Sequence, residues 1–127
     1  MSSVVFDAST LLILINREPG RDAVSAIGSD IVMSAVNYAE VVTKLAFGRM
    51  SRDEIDDVVV GYRLTVAPLT ESLAMTAGLL VARTRHKGLS LADRACLALA
   101  MELRLPVITA DRAWAGLDLG IDIRLIR

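Results

Sequence analysis

Val4-Val5-Phe6-Asp7-Ala8-Ser9-Thr10 is the stretch on which the reading of this chain turns. Its unbroken apolar run reads as a buried strand ending at Asp7, and residues 8–16 read as a helix before the break at Pro19-Gly20. A strand running straight into a helix opens an α/β chain, and the remainder continues the alternation. A short helix over 22–27 precedes a second strand at 31–33, after which Ser34 caps a long helix that stops at Gly48. Ser51 and Glu54 have capping-box spacing for the next helix, followed by a strand near 64–67 that Pro68 closes. Thr70 opens a helix reaching to about residue 87, Gly88 ends it, and Ser90 caps another running to Arg104. Gly61 and Gly78 read as glycines tolerated inside helices, and strands at 106–109 and 121–125 complete the set. The predicted class is α/β: a central, mainly parallel sheet of about five strands with helices on both faces, its ligand crevice at the carboxyl ends of the strands.

At 127 residues, with no repeat or linker, the expectation is a single domain over 1–127. The apolar fraction, 54% against roughly 45–50% for average soluble proteins, exceeds what a small core needs and predicts apolar surface covered by another chain, in a homodimer or with a tight protein partner. Net charge is −1, so a nucleic acid would have to be met by a local basic patch or by a metal rather than by the overall field. The longest apolar runs, such as Leu11-Leu12-Ile13-Leu14-Ile15, fall far short of the ~18 residues of a membrane span. No Lys or Arg precedes the first apolar run and Asp7 interrupts it, which argues against a secretory signal and for a cytoplasmic location. Cys96 stands alone, so neither an internal disulfide nor a cysteine metal cage is available.

Carboxylates occur where this architecture tends to place function: Asp7 and Asp111 after predicted strands, Glu40 and Asp93 in predicted helices. Each has a structural explanation of its own. Asp7 can cap the helix that follows it, and Asp93 completes a capping box with Ser90 in a first turn that also suits the helix dipole. Glu40 precedes Lys44 by one turn, and Asp111 can cap a short helix containing Trp114. Glu40 also shares its side of the helix with Val36, Thr43 and Phe47, a face that reads as more apolar than a solvated one. If the four converge, mutual repulsion prevents all from staying ionised unless a cation lies among them, and a hard divalent metal is the usual remedy. Such an ion lowers the pKa of water to about 7 and offsets charge building on a phosphate, which points to a metal-dependent hydrolase.

The sole histidine, His86, excludes a histidine-rich metal site and a Ser-His-Asp triad. With Arg83, Arg85 and Lys87 it forms a basic cluster at a helix end, suited either to the dipole or to phosphate contact. Arg94 and Arg112 each follow a candidate ligand, placed to touch a substrate phosphate or to pair with a neighbouring acid.

Taken together, Val5-Phe6-Asp7-Ala8-Ser9, Glu40 in its helix, Ser90-Leu91-Ala92-Asp93-Arg94-Ala95 and Ile108-Thr109-Ala110-Asp111-Arg112-Ala113-Trp114 resemble a PIN-domain ribonuclease of the VapC toxin type over almost the whole chain. The resemblance implies the PIN-like three-layer sandwich, Mg²⁺ as cofactor with Mn²⁺ as substitute, and hydrolysis of RNA phosphodiester bonds. It also implies a dimer silenced by a cognate antitoxin, whose C-terminal segment would present a basic side chain to the acids. By position, Asp7 and Asp93 would be the chief metal ligands, with Glu40 and Asp111 completing the cluster and the hydroxyls of Ser9 and Thr109 supporting it.

Other readings remain. A phosphoacceptor receiver domain would want paired acids after the first strand and a lysine near the last ones, where this chain has Asp7 alone and no Lys beyond Lys87. A phosphatase with Asp7 as nucleophile would want a general acid where Ser9 stands. A PIN-type binding module without turnover is the third, since ligands for a metal do not by themselves make an enzyme.

Overall fold

The computed structural model describes residues 3–27 and 30–126. Five strands, β1 (Ser3–Phe6), β2 (Asp30–Ser34), β3 (Thr65–Ala67), β4 (Val107–Thr109) and β5 (Ile123–Leu125), lie in the order β3-β2-β1-β4-β5, every neighbouring pair parallel. Strand β1 is central because it is apolar on both sides. Val4 and Phe6 pack on one face and Val5 on the other, all almost fully buried.

One face is covered by α1 (Ala8–Asn16), α2 (Arg21–Ile27), α3 (Ala35–Phe47) and α4 (Arg52–Val60), through Leu11, Ile13, Val24, Val41, Leu45 and Ile55. The opposite face carries α5 (Glu71–Leu79) and α7 (Leu91–Leu103), through Leu73, Ala77, Leu97 and Leu99, with Trp114. Each large side chain taken from water in this way contributes roughly 1.5–3 kcal/mol, so the layers rather than local propensity hold the helices in place. The expected α/β three-layer sandwich is therefore what forms.

Local signals start the helices where expected. Asp7, Ser34, Ser51, Thr70 and Ser90 are N-caps, and Ser51 with Glu54 and Ser90 with Asp93 form complete capping boxes. Gly61 follows α4 as its C-cap rather than lying inside a helix, whereas Gly78 does lie within α5.

The helix expected from Thr70 to about residue 87 is instead broken at Leu80 into α5, the short α6 (Val81–Thr84) and a 3-10 turn over Arg85–Lys87. The break coincides with a donor from another helix. In a continuous helix the carbonyls of Ala77 and Gly78 would accept from residues four positions on; here Arg94 of α7 donates Nη1 to them at 2.9 and 3.4 Å. Phe47, placed by periodicity on a partly covered face of α3 with Glu40, is 90% exposed, because Asn37, Val41 and Leu45 form the buried stripe. Val60, Met75 and Leu79 are also largely exposed, so the apolar excess does reach the surface. No described helix is long and apolar enough to cross a membrane.

Candidate metal centre

Chain order reverses between β1 and β4: the strands run outward through β2 and β3 on one side of β1, and through β4 and β5 on the other. The carboxyl ends of β1 and β4 therefore flank a crevice, and Asp7 and Asp111 leave from them.

Asp7 is the most constrained acid. Its Oδ1 accepts from Ser9 Oγ at 2.7 Å, from the Thr10 amide at 3.0 Å and lies 2.9 Å from Thr10 Oγ1, while Oδ2 accepts from Thr109 Oγ1 at 2.6 Å. The Thr10 hydroxyl also reaches the Ile108 carbonyl at 2.7 Å and has one proton to divide between the two. The supporting hydroxyls are themselves held. Ser9 Oγ accepts from the Ala110 amide and Thr109 Oγ1 from the Asp111 amide, so the loop after β4 is tied to Asp7 through two hydroxyl relays. With Oδ1 crowded by donors and Oδ2 accepting one, the open lone pair of Asp7 is on Oδ2. Burial pushes the Asp7 carboxyl above its ordinary range, and the donors from Thr109, Ser9 and Thr10 pull it back without cancelling that rise.

The remaining acids come from helices and the β4 loop. Glu40, on the exposed side of α3, accepts from Asn37 Nδ2 at 3.0 Å. Asp93 sits in the first turn of α7, its Oδ2 accepting from the Ser90 amide at 3.0 Å. Asp111 caps the 3-10 turn Arg112–Trp114 by accepting from the Ala113 amide at 2.9 Å. Each structural role foreseen for Asp7, Asp93 and Asp111 is present, and none prevents a second one. The i,i+4 pair does not form: among the described residues Glu40 and Lys44 make no ion pair.

Asp7, Glu40, Asp93 and Asp111 line one hollow of about 140 Å³, together with Ser9, Asn37 and Lys44. Cys96 of α7 is fully buried. Burial first, then the charges of Asp7, Asp93 and Glu40, push its thiol well above the ordinary range. Among the described residues no three acidic, histidine or cysteine side chains close into a ready-made metal cage. The donor set nevertheless fits a hard divalent cation. Mg²⁺ keeps several of its waters and is typically bound through one or two carboxylates rather than by an all-protein cage. The lining consists largely of residues with acceptor oxygens, and one of them, Asn37, has a buried Oδ1 with no hydrogen-bond partner.

Neither arginine proposed for phosphate contact lines the hollow among the described residues. Arg94 turns away to the α5 carbonyls, and Arg112 lies exposed in the 3-10 turn. Sequence reasoning missed Asn37 and gave Lys44 no part in the site. The signal for Asn37 was present: a lone amide at the four-residue spacing of the buried stripe Asn37, Val41, Leu45. Lys44 was read only as a helical partner of Glu40.

A parallel α/β sandwich with acids gathered at its topological switch point defines an architecture rather than a single activity. The family is shown by comparison: the PIN domain matches residues 4–118, and this chain belongs to that family. Similar solved structures include a toxin-antitoxin complex from Klebsiella pneumoniae (21% identity, TM-score 0.73, covering 93% of this chain and 94% of that one). DNA-bound VapBC from Salmonella typhimurium is 23% identical with a TM-score of 0.70, each chain covered in full. VapC20 of Mycobacterium tuberculosis, described as a sarcin-ricin loop cleaving toxin, is 17% identical with a TM-score of 0.72, over 94% of this chain and 98% of that one. No curated protein matches the chain. Family membership displaces the receiver and phosphatase readings.

Proposed function

We propose that this protein is a divalent-metal-dependent endoribonuclease, the toxin of a toxin-antitoxin pair. The observation that carries the reading is the single hollow at the β1–β4 switch point lined by Asp7, Glu40, Asp93 and Asp111. Asp7, through its open Oδ2, and Asp93 would be the principal holders of Mg²⁺ or Mn²⁺, with Glu40 and Asp111 completing the negative wall. An ion held there would supply Lewis acidity toward a phosphate oxygen and make water a competent nucleophile near neutral pH. The protein's own contribution is positional. Ser9, Thr10 and Thr109 hold Asp7 in one orientation, the capping box holds Asp93, and Asn37 holds Glu40. Lys44 is the cation in the hollow's lining and can meet a phosphate of the RNA.

The partner reading draws on two supports. Similar solved structures include a toxin-antitoxin complex and a member of the VapBC family of toxin-antitoxin systems, and this chain exposes Phe47, Val60, Met75 and Leu79, which an antitoxin or a second copy would cover. A cytoplasmic setting would bring such an enzyme together with cellular RNA.

Asp7→Asn and Asp93→Asn keep the shape of the site and remove one charge each. Both are expected to lower Mg²⁺-dependent cleavage of unstructured RNA by at least about a hundredfold while the fold is retained, since charge stabilisation of this kind is commonly worth that much. Water attacking phosphorus with departure of the 3′-oxygen leaves 5′-phosphate and 3′-hydroxyl ends. Products ending in cyclic phosphate, or undiminished cutting by Asp93→Asn, would overturn the assignment. A wild-type protein that binds RNA and Mn²⁺ without cutting would instead support the non-catalytic PIN module.

A further inference from the structure

Asn37 is 1% exposed, on the stripe of α3 that otherwise carries Val41 and Leu45 into the core. Its Nδ2 donates to Glu40 Oε1 at 3.0 Å and to the Ala92 carbonyl of α7 at 3.3 Å, while Oδ1 has no partner. The orientation of the amide is fixed by its neighbours: exchanging nitrogen and oxygen would set an acceptor against a carboxylate and a carbonyl. A buried amide with an orphan oxygen is a poor choice for stability. An apolar residue of the same shape, such as Leu, would match Val41 and Leu45 and leave no unpaired group. The amide therefore does something packing does not ask of it.

What it does is visible in the connection it makes. Glu40 stands on the exposed side of α3, and without a tether its flexible side chain would sample open solvent. Asn37 joins that carboxylate to the residue immediately before Asp93, so one amide group links the Glu40 side chain to the first turn of the helix that carries Asp93. We infer that Asn37 is a positioning residue for cation binding: its amide nitrogen ties the Glu40 carboxylate to the first turn of α7, beside Asp93. This rests on the reading of the hollow as a divalent-cation site.

The test is a double-mutant cycle between Asn37→Leu and Glu40→Gln on the full chain, read as Mn²⁺ affinity by electron paramagnetic resonance titration, with thermal melts in chelator alongside. Asn37→Leu is expected to weaken Mn²⁺ binding about tenfold, the loss of one well-placed outer contact to a metal ligand. Its metal-free melting temperature should equal or exceed that of the wild type. In the Glu40→Gln background the same substitution should have no further effect on affinity, because the group it positions has been neutralised. Asn37→Ala, which cannot clash, should repeat the affinity result if Leu proves too bulky to fold. The proposal is overturned if Asn37→Leu binds Mn²⁺ as the wild type does, or if the losses multiply in the double variant. Failure of the underlying reading looks different: the wild type itself would then bind no Mn²⁺.

Discussion

The Thr109 hydroxyl donates to Asp7 Oδ2 at 2.6 Å, joining the ends of β4 and β1 across residues 102 positions apart. The bond is buried, and the same oxygen accepts from the Asp111 amide, so one hydroxyl fixes two acids of the hollow. Thr109→Val removes both interactions with little change in volume. A loss of about 1–3 kcal/mol is expected at neutral pH, the usual cost of stranding a buried partner. Burial already raises the Asp7 pKa, and losing this donor raises it further, so the loss should be larger where Asp7 is ionised than in acid. Urea unfolding at neutral and acidic pH checks this; equal losses at both would contradict it.

Asp7 also sets a pH dependence for the metal-free protein. Its folded-state pKa lies above the ordinary 3.8, so its contribution to stability is fully present below that value and is lost as pH rises through the folded-state pKa. Asp7→Asn removes this dependence. The stability difference between Asp7→Asn and wild type should therefore move in favour of the variant as pH rises, when both are melted in chelator. Saturating Mn²⁺ should stabilise the wild type and leave the variant almost unchanged.

Lys44 lines the hollow and makes no ion pair with Glu40, so its side chain is a candidate to meet a phosphate of the proposed RNA substrate. Lys44→Met is expected to raise KM several-fold with a smaller effect on kcat, and to reduce the slope of log affinity against log salt by about 0.7, the value for one phosphate contact on a single strand. Lys44→Arg should restore the slope. An unchanged slope in Lys44→Met would assign this lysine to the helix dipole alone.

Arg94 behaves differently because its guanidinium is spent on the Ala77 and Gly78 carbonyls. Arg94→Met should destabilise the fold by about 1–3 kcal/mol, as expected for hydrogen bonds to a charged group, while leaving the salt slope of RNA binding where it was. Denaturant unfolding and RNA titration separate the two effects.

How far the chain could be read before folding differs from element to element. Caps were legible because an N-cap needs only residues within one turn: Asp7, Ser34, Ser51, Thr70 and Ser90 all start helices where their side chains predict. The break at Leu80 was not, because the donor that meets the Ala77 and Gly78 carbonyls there is Arg94, seventeen and sixteen residues further along the chain. Phe47 was misplaced for a related reason. Periodicity gives the angle between side chains on α3 but not which direction faces the sheet, and Asn37 disguised the buried stripe.

By itself, the sequence determined the alternation of strand and helix, the positions of the acids along it and the hydroxyls beside them, since each depends on apolar runs and short-range capping. Only the tertiary structure decided that Asp7, Glu40, Asp93 and Asp111 share a hollow, that Glu40 answers to Asn37 rather than Lys44, and that Arg94 turns away from it. Those relations depend on strand order and on which helix faces meet, and burial against distant segments, not the residues next in line, sets both.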